Sequence, residues 1–209
     1  MKTQPTIIVL GAGRGSRYTG ARHKLVEPLL DDGQGGFLES VMGHTLRNAL
    51  ATGLPVIVVT SARLAEQASD VLARRDIVVP VDAGGGMGDS IAAGVAARPG
   101  AGGWLVMPAD MPLVRPATMS AVAAGIGRHP VAYAQYQGRK GHPVAFGAEL
   151  FSELLRLSGD EGARRVLARF PGQAVEVDDP GVLLDMDTEA DLASLRARIA
   201  GESASPAAR

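Results

Sequence analysis

The sequence of 209 residues contains no cysteine. Disulfides, thiolate metal sites and cysteine nucleophiles are therefore excluded. Neither charge is in excess: 21 Lys and Arg stand against 22 Asp and Glu. A nucleic-acid surface normally shows a basic surplus, so nucleic acid is not an expected partner. No apolar run approaches the roughly 18 residues of a membrane span, so no membrane association is expected. The first apolar run, residues 7–10, is too short for a signal peptide and ends in Gly and Arg. The expectation is a cytoplasmic protein with one domain over residues 1–200 and a disordered tail at 201–209. Several catalytic signatures are missing too. There is no G-K-S/T of a P-loop and no G-x-S-x-G elbow. His23, His44, His129 and His142 make no zinc pair at helical spacing.

What the sequence does contain is organised around residues 7–17. Ile7-Ile8-Val9-Leu10 reads as a buried strand. It ends in Gly11-Ala12-Gly13-Arg14-Gly15-Ser16-Arg17, with Lys24 seven residues further on. Glycines let backbone approach a ligand without a Cβ in the way. Successive N–H groups in such a loop form a concave anion site. Arg14, Arg17 and Lys24 add positive charge where a chain of phosphates would lie. A dinucleotide fingerprint fits poorly, because Ser16 stands at its third glycine and Asp31 and Asp32 fall in a glycine-rich turn. A nucleotidyltransferase pattern, L-x-x-G-x-x-x-R followed by Lys, fits best.

Strand and helix patterns then alternate. Apolar residues from Phe37 to Leu50 recur at helical spacing. Residues 56–60, 76–80, 104–108, 131–136, 143–146, 174–177 and 182–184 read as strands. Residues 63–74, 116–126, 149–157, 161–170 and 188–199 read as helices, the last with Thr188 as cap and Asp191 three residues on. Gly84-Gly85-Gly86-Met87-Gly88-Asp89-Ser90 is a second glycine loop. It opens a small-residue helix, with Asp89 or Ser90 as its cap. The alternation predicts an α/β fold with a mostly parallel sheet and helices on both faces. Ligands bind at the carboxyl ends of such strands, where both glycine loops and Asp110 fall.

Asp110 follows the apolar run 104–108. A carboxylate there suits Mg²⁺, which takes one or two carboxylates with phosphate oxygens and waters; a turn before Pro112 is the plainer alternative. Asp185 and Asp187 follow another apolar run, and their two-residue spacing in extended chain puts them on one face. Either is a second ligand, or Asp187-Thr188 simply caps the last helix.

Six further pieces accompany Leu10-Gly11-Ala12-Gly13-(x)3-Arg17 in one order: Lys24-Leu25, Gly86-Met87-Gly88-Asp89-Ser90-Ile91, Asp110-Met111-Pro112, Gly141-His142-Pro143-Val144-Ala145-Phe146, Gly159-Asp160-Glu161-Gly162-Ala163-Arg164 and Asp185-Met186-Asp187-Thr188. Together they resemble the MobA-like nucleotidyltransferases, and among these the MocA-like molybdenum cofactor cytidylyltransferases. The resemblance implies a Rossmann-like three-layer sandwich. It implies transfer of a nucleoside monophosphate, CMP from CTP, to the phosphate of a molybdopterin-type cofactor, with pyrophosphate released. Arg14, Arg17 and Lys24 would hold the triphosphate and, with Asp110, form the catalytic set. Leu10, Gly11, Ala12, Gly13, Gly86, Met87, Gly88, Asp89 and Ser90 would contact the nucleotide. Asp110 and Asp187 would bind Mg²⁺. His142, Pro143 and Asp160 would line the acceptor side, and a molybdoenzyme apo-protein is an implied partner. The first loop of the family is L-A-A-G for cytidylyl and L-A-G-G for guanylyl transfer; Ala12 sides with the former. Gly11 matches neither, Met111 replaces the usual Gln, and the spacer from Arg17 to Lys24 is longer than usual. Two other readings are a different phosphorylated acceptor, such as a sugar phosphate or phospholactate, and a non-catalytic molybdenum cofactor carrier.

Overall fold

The first apolar run becomes the strand around which the sheet is built. The computed structural model describes residues 3–13, 15–31, 37–79 and 85–204. Strand β1 (Thr6–Gly11) is followed by β2 (Pro28–Asp31), β3 (Phe37–Ser40) and helix α1 (Val41–Leu50). Next come β4 (Val56–Thr60), α2 (Ala65–Ser69), β5 (Ile77–Val78), α3 (Met87–Ala97), β6 (Gly103–Pro108) and α4 (Pro116–Gly125). The chain continues through β7 (Val131–Tyr136), β8 (Arg139–Gly147), α5 (Phe151–Leu155), α6 (Arg164–Arg169), β9 (Gln173–Glu176) and α7 (Glu189–Ala204).

The main sheet has the order β5-β4-β1-β6-β8-β7-β9. β1 pairs in parallel with both β4 and β6, and β7 in parallel with β9. β8 alone runs antiparallel to its two neighbours, β6 and β7. Side chains alternate between the faces, as the two-residue period of a strand demands. Ile7, Val9, Val58, Leu105 and Met107 meet Met42 and Leu46 of α1 and Met119 and Val122 of α4. Ile8, Val59, Trp104, Val106 and Phe146 meet Ile91 and Val95 of α3 and Leu154 of α5. The result is a three-layer, mostly parallel α/β sandwich, as the alternating pattern predicted.

Because β4 and β6 flank β1 on opposite sides, the chain leaves β1 and β6 at a topological switch point. The crevice that opens at the carboxyl ends of such strands is where ligands bind in this architecture. Gly11 ends β1 and Pro108 ends β6 there.

Four expectations are corrected. The helix expected from Phe37 starts only at Val41: residues 37–40 pair with β2 in a separate two-stranded sheet. Leu38 is exposed while Glu39 is buried, the reverse of a helix packing its apolar face. Ser40 Oγ accepts from the Gly43 N–H at 3.0 Å and so fixes the helix start. Residues 182–184, expected as a strand, instead close a 3-10 turn over Pro180–Leu183 with Leu184 as its C-cap, the turn being set by Asp179 accepting from the Gly181 N–H. The helix expected over 63–74 shrinks to Ala65–Ser69. The tail expected from 201 is helical to Ala204; residues 205–209, the insert at 32–36, Gly84, Pro80 and Arg14 lie outside the described residues.

A third apolar cluster joins Leu29, Val41, Met186, Leu192 and Leu195, with Tyr18 and Leu184 packed against it. It anchors α7 and the segment before it beside the crevice. Among the described residues, no helix is long and apolar enough to cross a membrane.

Candidate active site

A cleft of about 610 Å³ lies at the switch point. Leu10, Gly11, Ala12 and Gly13 form one wall and Gly86, Met87 and Ser90 another. Arg17, Lys24, Asp110, Asp160 and Asp187 complete it. Most of the residues singled out in the sequence are thus brought together from six separate stretches.

The floor of the cleft is ionic. Lys24 Nζ lies 2.5 Å from Asp110 Oδ2 and 2.8 Å from Asp187 Oδ1. It also donates to the Met186 carbonyl at 2.9 Å. Burial pulls the Lys24 ammonium towards neutrality, but Asp110 and Asp187 outweigh it, and its pKa ends above the usual lysine value. Arg17 Nη1 caps the other oxygen of Asp187 at 2.5 Å from a largely exposed position.

Backbone contacts hold the carboxylates in place. The Ala109 N–H donates to the Leu10 carbonyl at 2.9 Å, and the Met186 N–H to the Asp110 carbonyl at 2.9 Å. From α1, Thr45 Oγ1 donates to the Ala109 carbonyl and Asn48 Nδ2 to the Pro112 carbonyl, each at 2.9 Å. Met186 is fully buried in the third cluster. It therefore works as a peg between Asp185 and Asp187, a role the sequence reading missed. An apolar residue between two acids at the end of an apolar run was the available signal. Thr188 and Asp191 form the expected capping box, and Asp191 Oδ2 also accepts the Asp187 N–H at 3.1 Å. The cap on α7 thereby holds the backbone of an active-site acid.

Asp110 Oδ1 is buried and, among the described residues, has no hydrogen-bond partner. A buried carboxylate oxygen left unpaired is costly unless a cation or donor meets it. That is the fit expected of a divalent-cation ligand. Among the described residues no group of three or more His, Asp or Glu is gathered to cage a metal. A pair of carboxylates still fits Mg²⁺, which takes one or two of them beside phosphate oxygens.

Asp89 and Gly88 turn away from the cleft. Asp89 Oδ2 accepts from the Gly86 and Gly159 N–H groups, each at 2.8 Å, and the Gly88 N–H donates to the Gly159 carbonyl at 2.8 Å. The helix cap is Gly86, with Asp89 at the third helical position reaching back to it, rather than Asp89 or Ser90. A Cβ on Gly86 would fall inside the backbone of Gly159. This places the second glycine loop against the loop carrying Asp160.

His142 and Pro143 lie on β8, the strand next to β6. Burial pushes the His142 imidazole below its usual pKa, partly offset by Asp110 and Asp185. Burial pushes Asp185 up, with Asp187 and Asp110 adding to it. These groups therefore share one electrostatic neighbourhood, on the β8 side of Asp110.

His23 braces the first loop rather than lining it. The Leu25 N–H donates to Nδ1 at 3.3 Å, so the ring proton is assigned to Nε2, which donates to the Gly13 carbonyl at 3.1 Å. Burial lowers its pKa, in keeping with a neutral ring. Asparagine can place an acceptor near Nδ1, and glutamine a donor near Nε2. His23→Gln should keep the tie to Gly13 and His23→Asn only the cap. Losing the tie, worth ~1 kcal/mol, should raise KM for the nucleotide about fivefold with kcat little changed. Steady-state kinetics of the two variants beside His23→Ala check this.

The comparisons with known proteins agree with the geometry. The sequence profile of the MobA-like NTP transferase domain matches residues 7–176. The purine catabolism protein PucB of Bacillus subtilis is 30% identical over 195 residues, covering 87% of this chain and 90% of that protein. Rv0371c of Mycobacterium tuberculosis H37Rv superposes with a TM-score of 0.77 at 30% identity, covering 93% of this chain and 99% of that one. A second structure of Rv0371c, described as a complex with manganese, gives 0.75 at 29%, covering 94% and 100%. A nucleotidyl transferase from Methanothermobacter thermautotroptrophicus, Mth528, gives 0.76 at 27%, covering 95% and 99%. With its glycine loops, lysine and paired carboxylates gathered at the switch point of the matching fold, the chain belongs to the MobA-like NTP transferase family.

Proposed function

We propose that this protein is a Mg²⁺-dependent nucleotidyltransferase that moves CMP from CTP to the phosphate of a molybdopterin-type cofactor. The observation that carries the reading is the meeting of Lys24 with Asp110 and Asp187 beneath two glycine loops. Ala12 supports CTP, and the Gly141-His142-Pro143 and Gly159-Asp160 pieces support the acceptor. The manganese complex of Rv0371c supports a divalent cation in this fold.

An acceptor phosphate oxygen attacks the α-phosphorus; a new P–O bond forms as the bond between the α-phosphorus and pyrophosphate breaks. Two anions must approach, so catalysis is positioning and charge neutralisation. The first loop offers backbone N–H groups to the nucleotide, and Lys24 and Arg17 neutralise the departing pyrophosphate. Asp110 and Asp187 would hold Mg²⁺, which when bound neutralises phosphate oxygens and fixes their orientation. The acceptor phosphate is already ionised, so no protein nucleophile or general base is required. His142, Pro143 and Asp160 would line the acceptor side. A supply of nucleoside triphosphate fits a cytoplasmic setting, and a molybdoenzyme apo-protein would receive the product.

Pyrophosphate release measured with molybdenum cofactor, Mg²⁺ and each of CTP, GTP, ATP and UTP tests the reading. Release with CTP alone is expected. Release with GTP instead would reassign the base, and pterin binding without release from any nucleotide would make the protein a carrier. Silence without pterin binding would redirect the search to other phosphorylated acceptors.

A further inference from the structure

The two carboxylates assigned to the metal are already engaged by the chain's own cation. An ammonium has three protons to donate. Lys24 spends them on Asp110 Oδ2, Asp187 Oδ1 and the Met186 carbonyl. With its side chain only 11% exposed, it has none left for a phosphate. Arg17 holds the second oxygen of Asp187. Two positive side chains thus balance two negative ones. Yet the proposed reaction needs Lys24 on the triphosphate and both carboxylates on the cation.

We propose that Lys24 is a clasp that makes divalent-cation binding conditional on triphosphate. With the clasp closed, Asp110 and Asp187 are neutralised and attract a cation weakly. A triphosphate draws Lys24 and Arg17 off the carboxylates, which then recover their charge and take the cation. Asp110 Oδ1, buried and without a hydrogen-bond partner among the described residues, is covered by the closed clasp but not satisfied by it. By linkage the coupling is reciprocal: the cation, by displacing Lys24, tightens triphosphate binding by the same factor. The clasp rests on the metal assignment made above and adds an order of events to it.

The test is Mn²⁺ binding without nucleotide, followed by the electron paramagnetic resonance signal of the free ion. Lys24→Met is expected to bind Mn²⁺ about tenfold more tightly than the wild type, a typical allosteric coupling. Arg17→Met removes the same charge but leaves Lys24 between both acids, and should gain less. A Lys24→Met protein that binds no tighter than the wild type, or no tighter than Arg17→Met, overturns the clasp. Asp110→Asn separates the two readings. If it binds Mn²⁺ as well as the wild type does, the metal assignment fails and the clasp with it; if it loses Mn²⁺ while Lys24→Met gains nothing, only the clasp fails. A second measurement covers the chance that Lys24→Met does not fold. In the presence of a chelator, Asp110→Asn should bind inorganic tripolyphosphate more tightly than the wild type, because its lysine is held by one acid instead of two. Equal or weaker binding there also overturns the clasp.

Discussion

Asp110→Asn is expected to lower the rate of nucleotidyl transfer by about 10²–10³-fold, the usual cost of removing one charge-stabilising group from a transition state. The substitution keeps the side chain's shape and an oxygen that accepts from Lys24. It removes one negative charge from the cleft floor. Lys24 keeps Asp187 and the Met186 carbonyl, and the Asp110 backbone keeps its bond from Met186. The fold should therefore survive with little change in melting temperature. Initial rates of pyrophosphate release beside a thermal melt separate a chemical loss from an unfolded protein. A melt lowered as steeply as the rate would make Asp110 a structural residue.

Gly86→Ala should have the second largest effect. A Cβ there would overlap the carbonyl carbon and oxygen of Gly159 and the nitrogen of Asp160. All three are backbone atoms, so no side-chain rotation relieves the overlap. The two loops must separate, and with them the wall formed by Met87 and Ser90 and the loop bearing Asp160. Overpacking of this kind costs about 1–3 kcal/mol. We expect a lower melting temperature, a raised KM for nucleotide and at least a tenfold loss of kcat/KM, the equivalent of ~1.4 kcal/mol. Asp89→Ala should be milder. It removes the acceptor shared by Gly86 and Gly159, but the Gly159 N–H is exposed and water can replace the carboxylate. The ratio of the two effects tells whether loop contact or loop charge matters more. Kinetics that are unchanged in Gly86→Ala would detach the second glycine loop from the site.

The sheet was legible because its strands are long apolar runs flanked by glycine and proline, and their alternation fixes the two faces. The cleft was legible because charged residues at strand ends have few places to go. What the sequence hid depends on contacts between distant segments. The β2–β3 pairing was hidden because Phe37 and Leu38 continue a helical spacing by coincidence, and only Glu39 turning inward breaks it. Asp89 looks like a ligand-binding charge until its distance from Gly159 is known. His23 stands beside Lys24 in the sequence, but only the Gly13 carbonyl at 3.1 Å identifies it as a brace. Met186 lies between two acids, and only the third cluster shows what buries it.

The three groups of the cleft floor sit at positions 24, 110 and 187, and the last depends on a cap completed at Asp191. During synthesis every strand of the main sheet has emerged once residue 176 is out. The partner that pairs with Lys24 beside Asp110 has not. A nascent chain at that length has its scaffold and a lysine facing one acid. It becomes able to bind both substrate and cation only when the segment carrying Asp187 and its cap folds back beside Lys24. Competence therefore comes after the sheet, and a chain cut before Asp191 should lose activity before it loses the sheet.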